Sequence, residues 1–353
     1  MHLYGGALQV FYLLGGLTQM PVRNVLVCPE GSAIATKVAG VVDKVYEIPM
    51  SGDLDIGLIP RLRRIIAAER ADLVHLHSRR GADVLGGIAA RLEKTCCVLS
   101  RRVDNPESKF VAALKYRLYD RVITISEGIR RVLLSEGVPA DKVVCVHSAV
   151  DTGRFDCVAE RDWFVREFDL PADARVLGMI AQLIPRKGHR YLFAALPEVL
   201  AAHAEVQVLL FGQGPLHDDL RQQIAQRRLQ GRVHLVGFRD DLERILPCLY
   251  GVVHPADMEG LGVSLLQAAA AGVPLIGTDA GGIPEIVKDN QNGILVPPGD
   301  VPALRAALLQ LLDDDVQARL WGDTGRQIVR DEFSIEAMVA GNYRVYRAVL
   351  GDG

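Results

Sequence analysis

The segment His254-Pro255-Ala256-Asp257-Met258-Glu259-Gly260-Leu261-Gly262-Val263-Ser264-Leu265-Leu266-Gln267 sets a carboxylate at the mouth of a glycine turn that follows an apolar run. A glycine turn that leads from strand to helix presents backbone N–H groups and a positive helix end to an anion. Glu259 suits sugar hydroxyls, and the amides of Gly260, Leu261, Gly262 and Val263 suit a diphosphate. Gln267 is expected two turns inside the helix, on much the same face as Glu259. The plain alternative is a helix N-terminus with an acidic capping residue. A second turn, Gln182-Leu183-Ile184-Pro185-Arg186-Lys187-Gly188, places two cations side by side after another apolar run. A departing nucleoside diphosphate gains negative charge, and preorganised cations lower that barrier. Arg186 offers a planar fork and Lys187 a point charge to phosphate oxygens. A solvated basic turn is the commoner fate of such a pair.

Other sites carry less signal. His77 follows a short apolar run, where a histidine is more often structural. Asp53-Leu54-Asp55 has the spacing of a metal-binding D-x-D pair, but it follows Pro49 and Gly52 rather than a strand and reads as a surface turn. The six cysteines include no C-x-x-C pair, so they read as buried free thiols in a reducing compartment. No G-x-G-x-x-G follows a strand with an acidic residue about 20 positions on, which argues against a dehydrogenase.

These turns need rigid elements behind them. A chain of 353 residues suits two domains, and 49% hydrophobic with 24% charged residues is a globular balance. Short apolar runs alternate with helical patterns, first over Asn24–Cys28, Asp72–His77, Cys97–Ser100, Val122–Ser126 and Val143–His147. The pattern restarts over Arg175–Leu183, Val206–Phe211, Val233–Val236, Gly251–His254 and Pro274–Thr278. This order predicts an α/β fold, two doubly wound parallel-sheet domains of the Rossmann-like kind. The expected boundaries are 1–155, 156–333 and a final helix, 334–353, returning toward the first domain. The opening Met1 to Leu17 reads as a loop, with the first strand missing or very short. No apolar stretch reaches the roughly 20 residues of a spanning helix, so the chain is expected to be cytoplasmic.

Charge is uneven: residues 1–155 carry +5 and residues 156–353 carry −8. Arg79-Arg80, Arg101-Arg102, Lys109, Lys115, Arg117, Arg121 and Arg130-Arg131 give the first domain a basic character. Phe110, Leu114 and Tyr119 are expected to form an apolar stripe among them. That combination suits an anionic acceptor or peripheral contact with an anionic membrane surface. An ordinary amphipathic helix with a solvated basic face explains it equally.

Taken together, the turns at Arg186-Lys187-Gly188 and Glu259-Gly260, with Phe211-Gly212-Gln213-Gly214-Pro215 and Val236-Gly237-Phe238, resemble the GT-B glycosyltransferases of family 4. Asp279-Ala280-Gly281-Gly282, Gly293 to Gly299, Gly5-Gly6 and His75-Leu76-His77 extend the resemblance over nearly the whole chain. It implies two domains facing a cleft and a retaining, metal-independent transfer of a hexose-type sugar from a UDP-, GDP- or ADP-linked donor. The nucleotide-sugar is a co-substrate, and neither a cofactor nor nucleic acid is implied. The implied acceptor is a glycan or lipid-linked molecule, such as a lipopolysaccharide core.

The resemblance gives catalytic roles to His77, Glu259 and Lys187. Donor contacts fall on Gly5, Gly6, Gln182, Arg186, Lys187, Gly237, Phe238, Glu259, Gly260, Leu261, Gly262, Val263 and Gln267. Two positions depart from the pattern: Gln182 stands where the family usually has Arg, and Gln267 where it has the second Glu. Two other readings stay open, a non-catalytic nucleotide-sugar-binding subunit and a nucleotide-sugar 2-epimerase of the same fold.

Overall fold

A computed structural model describes residues 5–77 and 81–351. The first stretch contains α1 (Gly5–Leu17), β1 (Val25–Pro29), α2 (Ala33–Lys37), β2 (Lys44–Ile48), α3 (Leu58–Glu69), β3 (Leu73–Leu76), α4 (Ala82–Leu92) and β4 (Cys96–Arg101). It continues through α5 (Lys109–Lys115), β5 (Arg121–Thr124), α6 (Glu127–Ser135) and β6 (Val143–Cys145). The second stretch contains α7 (Thr152–Phe155), α8 (Arg161–Glu167), β7 (Arg175–Ile180), α9 (His189–Ala202), β8 (Val206–Phe211), α10 (His217–Gln226), β9 (Val233–Gly237) and α11 (Leu242–Ile245). After it come β10 (Gly251–His254), α12 (Val263–Ala270), β11 (Leu275–Thr278), α13 (Ile283–Ile286), β12 (Gly293–Val296), α14 (Val301–Asp313) and α15 (Asp315–Glu332). The last helix is α16 (Ile335–Leu350).

The chain forms two compact units: one ends at Ala149 and resumes at Ile335, and the other is Val150–Ser334. Residues just past Ala149 go with the second unit. The Val150 N–H donates to Phe333 O at 2.9 Å, and α7 packs on α11 and α12.

The second unit has a continuous parallel sheet in the order β12-β11-β10-β7-β8-β9. Every residue of β8, β10 and β11 is buried, because α-helices cover both faces of a parallel sheet. Leu192, Phe193, Leu196 and Val199 of α9 and Leu304, Leu308 and Leu311 of α14 share the core with Leu177, Met179, Val208 and Leu210. Asp300 caps α14 by accepting from the Ala303 N–H.

In the first unit the parallel strands form two pieces, β1-β2 and β3-β4-β5-β6. Helix α1 lies across both: Leu13 and Leu17 pack with Val98 and Ile123, and Val10 and Leu14 pack with Cys28. The loop expected over Met1 to Leu17 is therefore a helix from Gly5 onward. Burial on two faces outweighs the low helix propensity of its glycine pairs. Met1–Tyr4, where a short first strand was sought, lie outside the described residues, and among those described no strand precedes α1. Gln9 clamps this helix to the end of the β6 segment: its side chain donates to Ala149 O and accepts from Ala149 N–H, both at 2.7 Å. Helix α16 closes the same unit, with the Tyr346 hydroxyl 2.6 Å from His75 Nδ1 and His75 Nε2 2.9 Å from Ser100 Oγ.

The expected stripe of Phe110, Leu114 and Tyr119 is not on one surface. Tyr119 is fully buried and donates its hydroxyl to Asp83 O at 3.0 Å. Phe110 is 80% exposed and Leu114 62%, joined by Val111. Part of the basic cluster is internal as well. Arg101 is buried and pairs with Glu107, and Lys115 pairs with Asp83 at 2.9 Å and Glu107 at 3.0 Å. Arg79 and Arg80 lie outside the described residues. Among the cysteines, Cys28, Cys97 and Cys248 are buried thiols, whereas Cys157 is exposed.

Candidate functional site

In the second unit, successive strands run outward from β7 to one edge and from β10 to the other, so β7 and β10 meet where the winding reverses. The loops that leave the carboxyl ends of two such strands flank a crevice, the usual ligand position in open α/β sheets. Here those loops are the Arg186-Lys187 turn and the Glu259 turn.

They are locked to each other through backbone. The Asp257 N–H donates to Arg186 O at 2.9 Å, and the Thr278 hydroxyl donates to Ala256 O at 2.6 Å. Gly188 has φ +77°, and a Cβ there would lie 1.8 Å from Pro255 O, so only glycine lets the loops approach this closely. Gly281 does the same on the other side: φ is +57° and a Cβ would lie 1.8 Å from Glu259 O. The neighbouring Gly282 N–H donates to that carbonyl at 3.0 Å.

This framework brings a cation and a carboxylate into contact. Lys187 Nζ lies 2.5 Å from Glu259 Oε2, and His254 Nε2 reaches the same oxygen at 2.8 Å. The Gly260 N–H donates to the other oxygen, Oε1, at 3.1 Å. Lys187 is 7% exposed and His254 1%. Burial opposes ionisation of Glu259, but the His254 hydrogen bond and charge and the Lys187 ammonium outweigh it and hold the carboxyl at about 2. An ionised carboxylate only accepts, so His254 donates through Nε2. Its Nδ1 is buried without a hydrogen-bond partner among the described residues. His189, at the start of α9, has both ring nitrogens in that condition. Burial, then His254 and Lys187, push the His189 pKa down to about 4, so its ring is neutral near pH 7.

The other expected donor residues divide between the units. Gln182 is exposed on the Lys187 loop, and Arg186 is half-buried beside it. Gly237 ends β9 with φ +85°, accepts from the Gly212 N–H at 2.8 Å, and precedes Phe238, which is 46% exposed. Gly260, Leu261 and Gly262 form the turn, and α12 begins only at Val263. Glu259 therefore lies in the loop rather than on the helix, and Gln267 is one turn inside α12, not two turns from Glu259 along a shared face. The Gly260 amide is already taken by Glu259, whereas helix geometry leaves Val263 and Ser264 N–H without an intrahelical acceptor.

His77, Gly5 and Gly6 belong to the first unit. Gly5 and Gly6 head α1, and a Cβ on Gly6 would lie 3.3 Å from Arg102 Cδ. The His77 ring lies with its centroid 3.8 Å from that of His75. Burial first, then the charges of His75 and Arg102, hold the His77 pKa well below its ordinary value. Its Nδ1 is buried and unpartnered among the described residues. Asp53-Leu54-Asp55 occupies a turn, where Asp55 accepts from the Ser51 N–H at 3.0 Å and pairs with Arg61 at 2.5 Å.

Sequence reasoning missed His254, His189 and the Arg190–Asp257 pair at 2.8 Å. The available signal was a histidine ending an otherwise apolar strand, Gly251-Val252-Val253-His254, five residues before the carboxylate.

The sequence profile described as Glycosyltransferase Family 4 matches residues 4–154, and that described as Glycosyl transferases group 1 matches residues 174–314. The 2-deoxystreptamine glucosyltransferase of Streptomyces kanamyceticus is 28% identical over 303 residues, 80% of this chain and 78% of that protein. The lipopolysaccharide core biosynthesis glycosyltransferase LpsE of Rhizobium meliloti is 25% identical over 338 residues, 95% of this chain and 93% of that protein. Among solved structures, HepE of Anabaena in complex with UDP superimposes with a TM-score of 0.84 at 20% identity, over 98% of this chain and 96% of that one. The two profiles together span most of the sequence, the fold is GT-B, and the chain belongs to the family 4, group 1 glycosyltransferases.

Proposed function

We propose that this glycosyltransferase moves a hexose-type sugar from a nucleotide-sugar to a glycan or lipid-linked acceptor, with retention of anomeric configuration and without a metal. The observation that carries this reading is the Lys187–Glu259 contact at the point where the sheet winding reverses. In this reading Lys187, with Arg186, neutralises the diphosphate as it departs, and the amides of Leu261, Gly262 and Val263 donate to its remaining oxygens. Glu259 holds hydroxyls of the donor sugar, and Gln267 serves the ribose hydroxyls without charge. Gly237 and Phe238 lie on the nucleoside side, with Gln182 on the Lys187 loop, and Gly5 and Gly6 are read as further donor contacts. His77, neutral at physiological pH, accepts or donates one hydrogen bond near the sugar. The acceptor hydroxyl attacks the anomeric carbon from the leaving-group face, and its proton passes to the departing diphosphate.

Support for the donor class comes from HepE, solved with UDP and with UDP-glucose. Support for a cell-envelope acceptor comes from the role named for LpsE. The exposed Phe110, Val111 and Leu114 of α5, next to Lys109, suit shallow insertion into an anionic lipid surface on the cytoplasmic side. Among the described residues no helix is long and apolar enough to cross a membrane.

A panel of UDP-glucose, UDP-N-acetylglucosamine, GDP-mannose and ADP-glucose, with EDTA present, tests the reading. At 100 times its Kd the true donor adds about 2.7 kcal/mol of stability and raises the melting point. With acceptor it releases nucleoside diphosphate and gives a product of unchanged anomeric configuration. No rise with any donor, or activity lost on adding EDTA, contradicts it.

A further inference from the structure

We propose that His254 is a positioning residue of the donor site, fixing the Glu259 carboxylate toward the sugar after Lys187 has turned to the diphosphate. The inference rests on the donor-binding reading above and concerns a residue which that reading does not use. Glu259 Oε2 has two donors, Lys187 Nζ at 2.5 Å and His254 Nε2 at 2.8 Å. In the working complex one of them is drawn away, because the Lys187 ammonium is the mobile point charge that serves phosphate. Without His254 the carboxylate, its side chain only 15% exposed, would keep only the Gly260 N–H on Oε1, and Oε2 would be buried with no donor to hold it ionised and ordered. The lysine stem is flexible. His254 is not: it ends β10, is 1% exposed, and is held by the strand on one side and Pro255 on the other.

The ring is also a poor choice for packing alone. Its Nδ1 is buried without a partner among the described residues, which costs stability that a leucine of similar volume avoids. What the imidazole adds over leucine is the Nε2–H aimed at Glu259.

The test compares three variants, each in the full-length chain. Glutamine places an amide N–H near the Nε2 position, whereas asparagine reaches only the Nδ1 position and alanine reaches neither. The readout is the ratio of Kd for the nucleotide-sugar to Kd for its parent nucleoside diphosphate, measured by calorimetry. The nucleotide-sugar is whichever of UDP-glucose, UDP-N-acetylglucosamine, GDP-mannose or ADP-glucose binds the unaltered protein.

His254→Ala and His254→Asn are expected to weaken the nucleotide-sugar selectively, shifting the ratio about 10- to 100-fold, the scale of one charge-assisted hydrogen bond. His254→Gln is expected to keep it within about threefold, since it retains that bond. A purely structural role would lower both affinities and the melting point together, leaving the ratio unchanged. An unchanged ratio in Ala and Asn overturns the proposal, as does a Gln variant that shifts it as far as Ala. If Ala does not fold, Asn and Gln decide. An unaltered protein that binds none of the four nucleotide-sugars overturns the donor reading itself.

Discussion

The two units are built from the same alternation of strand and helix, yet they solve different problems. In the second unit the sheet is continuous, β8, β10 and β11 are buried at every position, and its loops are pressed together through Gly188 and Gly281. In the first unit the strands form two pieces, β1 and β3 are only partly buried, and helices α1 and α16 hold the unit together. A continuous buried sheet fixes two loops within hydrogen-bonding distance, as a preorganised anion site requires. A divided sheet held by helices relies on side-chain contacts such as Gln9 with Ala149 and Tyr346 with His75.

The contrast between the units depends most on the paired charges. Lys187→Ala or Glu259→Ala is expected to lower the transfer rate by about 10²–10³, by analogy with lost electrostatic donors elsewhere. Steady-state kinetics on a protein with an unchanged circular dichroism spectrum checks this, and a rate within threefold of the original breaks the assignment.

Next in size is the loop contact. Gly188→Ala puts a Cβ on a left-handed residue and against Pro255 O, and is expected to destabilise the second unit by about 3 kcal/mol or more. Urea unfolding followed by hydrogen exchange should show the loss in Val150–Ser334 and little change in the β3–β6 core.

Acidification probes the other unit. Burial, then Arg102, push the His75 pKa down to about 3, and burial likewise keeps the neighbouring His77 low. A histidine with a depressed folded pKa contributes stability above its unfolded value, near 6.5. That stability falls as pH drops below 6.5, until the folded pKa is reached. Going from pH 7 to pH 5 should cost about 2 kcal/mol for His75. His75→Gln should flatten that part of the profile measured by urea titration.

The smallest effect is Tyr346→Phe, which removes one hydrogen bond to His75 and is expected to cost about 1 kcal/mol. Faster amide exchange in α16 at unchanged donor affinity is the expected outcome. A fall in transfer rate comparable with that of Lys187→Ala would erase the contrast between the units.

Much of the fold was legible because buried parallel strands read as short apolar runs. Val206–Phe211 and Gly251–His254 coincide with β8 and β10. The start of the chain was not legible, since paired glycines suggest a loop and only packing on two faces makes α1 a helix. β2, Lys44–Ile48, carries exposed Lys44 and Glu47 and has no fully buried residue, so it gave no apolar run. In the site, Glu259 and Lys187 stood out by residue type and by their glycine turns. His254 did not, because its meaning lies in a 2.8 Å contact with Glu259 that spacing along the chain does not express. Tyr119 misled for the opposite reason: it lies five residues beyond Leu114, past a short helical turn at Tyr116–Leu118, and is buried in the core.

In the proposed function the Arg186-Lys187 turn and the turn after Glu259 grip one diphosphate. A crystal structure of the chain with a bound nucleoside diphosphate tests it directly. Phosphate oxygens are expected within hydrogen-bonding distance of Lys187 Nζ and of the Val263 or Ser264 amide, with the Lys187–Glu259 contact opened. A diphosphate seated elsewhere, with that contact intact, would contradict it.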